Sequence, residues 1–233
     1  MEQNKGQQAD SNWAHPIRAV AFDMDGLLVN TETLYSEAGD TILQRRGHRF
    51  TAELKDKMMG LPAEQAYQVM LDHTGLNESI ETLQAETIEV FQNLLPTRLE
   101  LMPGVLAILE LLDERAMPRC VATSSTHAFA AEVLERMSLV ARFDFVLTSE
   151  DVDNGKPAPD IYLDAAKRQG VRPHEMLVLE DSQHGSRAGI ASGACTIGVP
   201  SEHSDSHDFS GCHFVANTLK DPRISALLNS SLS

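Results

Sequence analysis

From Ile17 the chain reads IRAVAFD, a short apolar run that ends in a polar, glycine-containing turn. That is the pattern of a strand buried on both faces of a parallel sheet. Similar runs recur at 118–125 (PRCVATSS), 143–149 (FDFVLTS), 175–181 (EMLVLED) and 195–199 (CTIGV), with a weaker sixth at 213–217 (HFVAN). Between them the apolar spacing turns helical, over Gly104–Arg115, Ala128–Ser138, Pro159–Gln169 before Gly170, and Gln183–Ser192 before Gly193. Alternating segments of this kind predict an α/β fold, a Rossmann-like parallel sheet with helices on both faces.

Residues 33–97 break the rhythm, because they contain no convincing strand. Leu34, Ala38 and Ile42 fall at four-residue steps, Leu54 and Met58 follow, and then Ala66, Val69 and Met70. A last face is formed by Ile80, Leu83, Thr87, Ile88, Phe91, Leu94 and Leu95, with Asn77 or Ser79 as its N-cap. An all-helical insertion directly after the first strand predicts a separate cap domain, 33–97, placed as a lid over that strand's carboxyl end. The α/β core is then 17–32 with 98–233. Residues 1–16, MEQNKGQQADSNWAHP, are expected to be a frayed tail; no basic segment is followed by an apolar one, so they do not read as a secretory signal.

At 233 residues the chain suits one large domain, or one with an insertion. Its 19 Lys+Arg against 34 Asp+Glu give a net charge of −15, which argues against nucleic-acid or anionic-membrane binding through a broad basic surface. No apolar run approaches the length of a membrane span. Cys120, Cys195 and Cys212 are odd in number and widely separated, which suits a reducing compartment, so cytoplasmic residence and a small-molecule partner are the expectation.

Ligands of such sheets bind at the carboxyl ends of the strands, so the residues found there carry the chemistry. The first strand ends in FDMDG, with Asp23 and Asp25 two apart and Gly26 allowing a sharp turn. Alone, a DxDG is as readily an Asx-turn. The second ends at Thr123, followed by Ser124 and Ser125, which reads either as a helix N-cap or as an anion site. Lys156, in NGKPAPD, is by itself an ordinary loop lysine. The fourth strand ends in the adjacent carboxylates Glu180 and Asp181, hard oxygen ligands that suit Mg²⁺.

In this order, DxDG, a strand ending in Thr, Lys in GKPAPDIY and ED in EDSxxG, the set resembles the haloacid dehalogenase-like superfamily over residues 17–200. LMPGV at 101–105 and VATSS add to the likeness. The branch it resembles carries a helical cap and contains β-phosphoglucomutase, phosphoglycolate phosphatase and pseudouridine 5′-phosphatase. The resemblance implies a Mg²⁺-dependent phosphatase that hydrolyses a small phosphorylated metabolite through an aspartyl-phosphate. Asp23 would be the nucleophile and Asp25 the acid and base, while Asp25, Gly26, Thr123, Ser124 and Lys156 would bind the phosphoryl group. Asp23, the Asp25 carbonyl and Asp181 would hold the metal, with Glu180 as a direct or water-mediated ligand. In the cap, Thr31, Tyr35, Met59 and Gly60 are the candidates for contact with the leaving group.

Asp25 argues against carbon–halogen cleavage, since a halide needs no general acid. A sugar phosphomutase is the alternative, but that group's cap arginine in GxxR is replaced here by Ala63 in Gly60-Leu61-Pro62-Ala63, and its cap histidine aligns with Tyr35. A non-catalytic phospho-acceptor domain is more distant, because such a domain has no use for Asp25. One departure has no evident consequence in the sequence: Asn30 stands in VNTE where VDTE is common in the family.

Overall fold

The computed structural model describes residues 13–58 and 63–229. In chain order the elements are β1 (Ala19–Phe22), α1 (Thr31–Gln44), α2 (Ala52–Met58), α3 (Ala63–Thr74), α4 (Ile80–Arg98), α5 (Val105–Glu114), β2 (Arg119–Ala122), α6 (His127–Arg136), β3 (Phe145–Leu147), α7 (Asp160–Arg168), β4 (Met176–Glu180), α8 (Gln183–Ser192), β5 (Cys195–Gly198), β6 (Phe214–Val215) and α9 (Pro222–Asn229). The six strands form one parallel sheet in the order β3-β2-β1-β4-β5-β6. The chain divides into two compact units, Met1–Val29 with Leu101–Ser233, and Asn30–Glu100.

In the first unit β1 and β4 are buried along their whole length, as their unbroken apolar runs require. On one face of the sheet Ala19, Ala21, Cys120, Ala122 and Val178 share a core with Ile161, Tyr162, Ala165 and Ala166 of α7. The small side chains on both surfaces let this helix approach closely, which brings its first turn to the carboxyl edge of the strands. No described helix is long and apolar enough to cross a membrane.

Three expectations change here. The frayed tail does not extend to residue 16, because the Trp13 indole N–H donates to the His174 carbonyl at 2.8 Å and the ring meets His213 edge-on at 5.5 Å; residues 1–12 lie outside the described residues. Neither Thr123 nor Ser124 caps a helix, since α6 starts at His127 and Thr126 is its N-cap, accepting from the Phe129 N–H. The helix α9 was not expected, and it is eight residues held by buried Ile224, Leu227 and Leu228 at i, i+3 and i+4.

Among its described residues the second unit contains helices and connecting turns but no strand. Leu34, Ala38, Ile42 and Leu43 of α1 and Leu83, Val90, Phe91 and Leu95 of α4 are buried, and the two helices pack on each other. Arg46, just past α1, makes paired hydrogen bonds to both Glu78 and Glu86. Ser79 caps α4, and the helix runs through Pro96 to Arg98. At its other end Asn30 closes the unit, its amide donating to the Arg98 carbonyl at 3.1 Å and its Oδ1 accepting from the Glu100 N–H at 2.8 Å. The boundaries therefore fall at 30 and 100 instead of 33 and 97, because this clasp makes the flanking residues part of the helical unit.

Candidate active site

Strands β2, β1 and β4 lie side by side and run the same way, so Thr123, Asp23 and the pair Glu180–Asp181 come to one edge of the sheet. The strand order reverses between β1 and β4, the position at which such sheets open a crevice for ligands. Lys156 enters from the loop between β3 and α7. It is no solvated loop lysine: its side chain is 4% exposed, and Nζ donates to Asp23 Oδ1 at 2.6 Å, Glu180 Oε1 at 2.6 Å and the Ala122 carbonyl at 2.8 Å. All three ammonium hydrogens are used.

Glu180 is completely buried and accepts four hydrogen bonds. Oε1 takes Lys156 Nζ and, at 2.7 Å, the Tyr162 hydroxyl, while Oε2 takes the Ser182 N–H at 3.2 Å and its hydroxyl at 2.9 Å. Ser182 Oγ in turn caps α8 by accepting from the Gly185 N–H at 3.0 Å. The third helical residue must be glycine, since a Cβ at Gly185 would lie 1.6 Å from Glu180 Oε1.

Asp25 is held differently. Its Oδ2 accepts from the Ser125 hydroxyl at 2.8 Å and from the Thr123 hydroxyl at 3.1 Å, and Thr123 Oγ1 accepts from the Ser125 N–H at 3.0 Å. Ser124 is exposed, and its N–H has no acceptor among the described residues. Gly26, at φ +82°, makes the turn, and its N–H donates to the Val29 carbonyl at 2.8 Å. That amide is committed to closing the turn, so the expected phosphate contact from Gly26 is not available in this structure.

The electrostatics follow from burial. It lifts the Asp23 carboxyl well above the usual carboxylate range, opposed by Lys156 and reinforced by Glu180 and Asp25. Burial alone would lower the Lys156 ammonium, but Asp23 and Glu180 together outweigh it and hold that group well above its ordinary value. The same burial, with Glu180 beside it, raises the Tyr162 phenol and keeps it a donor.

Asp23, Glu180 and Asp181, all buried, offer oxygens that lie within 4.8 Å of one another, the only such grouping of three or more His, Cys, Asp or Glu among the described residues. A donor set of hard oxygens fits a divalent cation.

Of the residues expected from the sequence, Asp23, Asp25, Thr123, Lys156, Glu180 and Asp181 are joined at this edge. Thr31 and Tyr35 belong to the helical unit: Thr31 is buried in the first turn of α1, and Tyr35 is 44% exposed and stacked on Phe91 at 4.1 Å. Met59 and Gly60 lie outside the described residues. Sequence reasoning assigned no role to Tyr162, Ser182 or Gly185, and named Ser125 only within the stretch read as a helix N-cap or an anion site. The Tyr in GKPAPDIY and the SxxG in EDSxxG entered the sequence reading only as parts of the family resemblance, with no role of their own.

The family model for haloacid dehalogenase-like hydrolases matches residues 20–199. A phosphorylated carbohydrates phosphatase of Thermotoga maritima is 33% identical over 177 residues, 76% of this chain and 82% of that protein. A Drosophila melanogaster protein assigned as a pseudouridine-5′-phosphatase is 38% identical over 189 residues, covering 77% and 80%. Among solved structures, a Thermotoga maritima protein assigned as a β-phosphoglucomutase superposes with a TM-score of 0.76 at 29% identity, over 92% of this chain and 98% of that one. With the four motif groups gathered at one sheet edge, and with matches of this extent, the chain belongs to the haloacid dehalogenase-like hydrolase family.

Proposed function

We propose that the chain is a Mg²⁺-dependent phosphatase that hydrolyses a small phosphomonoester through an aspartyl-phosphate on Asp23. The observation that carries this is the placement of Asp23: one carboxylate touches Lys156 at 2.6 Å and also belongs to the buried acidic group with Glu180 and Asp181. A nucleophile, a cation for phosphoryl oxygens and the ligands of a metal are thereby within reach of one phosphorus atom.

In the first step an Asp23 oxygen attacks phosphorus, the bond to the leaving oxygen breaks, and Asp25 gives that oxygen its proton. In the second, water attacks the aspartyl-phosphate, Asp25 takes the water's proton, and Asp23 leaves as carboxylate with release of phosphate. Thr123 and Ser125 hold Asp25 between these steps. The Ser124 N–H is a fixed donor for a phosphoryl oxygen, while Lys156 and the Thr123 hydroxyl, whose hydrogens are engaged by Asp23, Glu180, the Ala122 carbonyl and Asp25, reach the phosphoryl group by exchanging one of those bonds for it. A bound Mg²⁺ would be held by Asp23, Asp181 and the Asp25 carbonyl, and it supplies charge neutralisation for the transferred group. Glu180 already accepts four hydrogen bonds, which favours its acting on the ion through water.

The relatives that act on a phosphorylated carbohydrate or a nucleotide-like monoester support a metabolite substrate. The likeness to an assigned β-phosphoglucomutase favours a second reading, sugar phosphomutase, against which stands Ala63 where an arginine would hold a second phosphate. A screen of phosphorylated metabolites for phosphate release, with and without Mg²⁺, tests the first reading. Turnover of β-glucose 1-phosphate to the 6-phosphate, primed by the 1,6-bisphosphate, without phosphate release would establish the second.

A further inference from the structure

We propose that Tyr162 is a positioning residue of this site: its hydroxyl holds the Glu180 carboxylate so that Lys156 is shared between Glu180 and Asp23. The inference rests on the phosphatase reading above. Tyr162 lies on the buried stripe of α7 with Ile161, Ala165 and Ala166, and no part of it is exposed. A phenylalanine would fill that core equally well. What the tyrosine adds is a 2.7 Å hydrogen bond to Glu180 Oε1, the same oxygen that accepts from Lys156 at 2.6 Å. The ring also lies beside the ammonium, with Nζ 5.1 Å from its centroid.

One buried carboxylate oxygen thus divides its charge between a neutral and a cationic donor. The cation stands at 2.6 Å from each of its two carboxylates, so neither has captured it. Without the hydroxyl, Oε1 would be left with the ammonium alone in a medium where an under-satisfied charge is costly. It would then draw Nζ away from Asp23 and from any phosphoryl oxygen. Tyr162 makes no hydrogen bond to Asp23, and acts through Glu180 and Lys156.

The test is Tyr162→Phe, which keeps the ring and removes the hydroxyl. With p-nitrophenyl phosphate and Mg²⁺, kcat is expected to fall about ten-fold, the scale of one hydrogen bond to a charged group. The concentration of inorganic phosphate giving half-inhibition should rise by a similar factor, because the lysine is less available to either anion. The melting temperature should fall by about 3–12 °C, as the loss of one hydrogen bond to a buried charged group implies for a chain of this size. Values of kcat and phosphate inhibition within two-fold of the wild type would overturn the proposal. So would a loss of activity accompanied by a fall of more than about 15 °C in Tm, which would assign the hydroxyl to packing. Should Tyr162→Phe not be recovered folded, the three tyrosines of the wild-type chain can be replaced by 3-fluorotyrosine. The ¹⁹F signal of position 162 must then move on addition of Mg²⁺ with inorganic phosphate, and an unmoved signal refutes the link. A wild type that releases phosphate neither from p-nitrophenyl phosphate nor from any phosphorylated metabolite of the screen contradicts the phosphatase reading itself, whereas an active wild type beside an unaltered Tyr162→Phe contradicts only this inference.

Discussion

Replacing Lys156 by methionine keeps the volume of the side chain and removes its charge and all three hydrogen bonds. Asp23 and Glu180 are left buried together with no counter-charge, and breaking a buried ion pair from one side costs about 3–5 kcal/mol. For a chain of 233 residues, at about 2–4 °C per kcal/mol, the expected fall in Tm in metal-free buffer at pH 8 is about 6–20 °C. The loss should depend on pH in a defined direction. Burial already raises the Asp23 carboxyl above its ordinary 3.8, and Lys156 is the main influence opposing that rise. Removing the lysine raises it further. A carboxyl whose folded-state pKa exceeds its unfolded value favours folding at low pH, and that contribution disappears as pH rises through the folded-state value. Lys156→Met should therefore recover toward the wild type on acidification from pH 8 to pH 5. Mg²⁺ should also stabilise it, by about 2.7 kcal/mol at a hundred-fold excess over Kd, because a cation replaces the missing charge. Urea denaturation at the two pH values, with EDTA and then with Mg²⁺, measures each part. A variant as stable as the wild type at pH 8, or one whose deficit grows at pH 5, would refute the electrostatic reasoning.

At Gly185, alanine puts a methyl group 1.6 Å from Glu180 Oε1 and must displace a buried carboxylate with four donors, so Gly185→Ala should lose about 3 kcal/mol or more in a denaturant titration; wild-type stability would show that the helix start can shift. Asp25→Asn should slow cleavage of an alkyl phosphate by about 10²–10⁴-fold, the usual contribution of general acid catalysis, while a nitrophenyl ester, whose leaving group departs as an anion, still gives a pre-steady-state burst in rapid quench. Equal loss of the first step on both esters would make Asp25 a phosphate- or metal-positioning group. Asn30→Asp removes the donor to the Arg98 carbonyl while keeping the acceptor for the Glu100 N–H, and should lower Tm by the equivalent of about 1 kcal/mol; an unchanged Tm would show that the clasp contributes nothing.

The strand ends were legible because each apolar run in a parallel sheet stops at a residue that must face the ligand edge, so Asp23, Thr123 and Glu180 could be read in sequence order. Lys156 could be named only as a motif. Its burial depends on Asp23, 133 residues away, which no local pattern encodes. Tyr162 was hidden for the opposite reason: Ile161, Tyr162, Ala165 and Ala166 form an ordinary core stripe, and periodicity does not distinguish the hydroxyl end of a ring from its face. Gly185 sits inside a helix with an ordinary backbone, and its need for glycine comes from a carboxylate five residues earlier that folds back against the helix start. Asn30 was unexplained because both of its partners lie about 70 residues along, and they meet only when the helical insertion returns. The family pattern of an acidic residue there also concealed what an amide alone can do, which is to donate and accept at once.

The covalent step on Asp23 is open to direct capture. Asp25→Asn enzyme mixed with p-nitrophenyl phosphate and Mg²⁺, quenched in acid within the burst and digested, should carry one phosphoryl group on the peptide containing Asp23, released by hydroxylamine as an acyl phosphate is. The same treatment of Asp23→Asn should give neither burst nor label. A burst without protein-bound phosphate, a phosphoryl group on any other residue, or sustained turnover by folded Asp23→Asn would contradict Asp23 as the nucleophile.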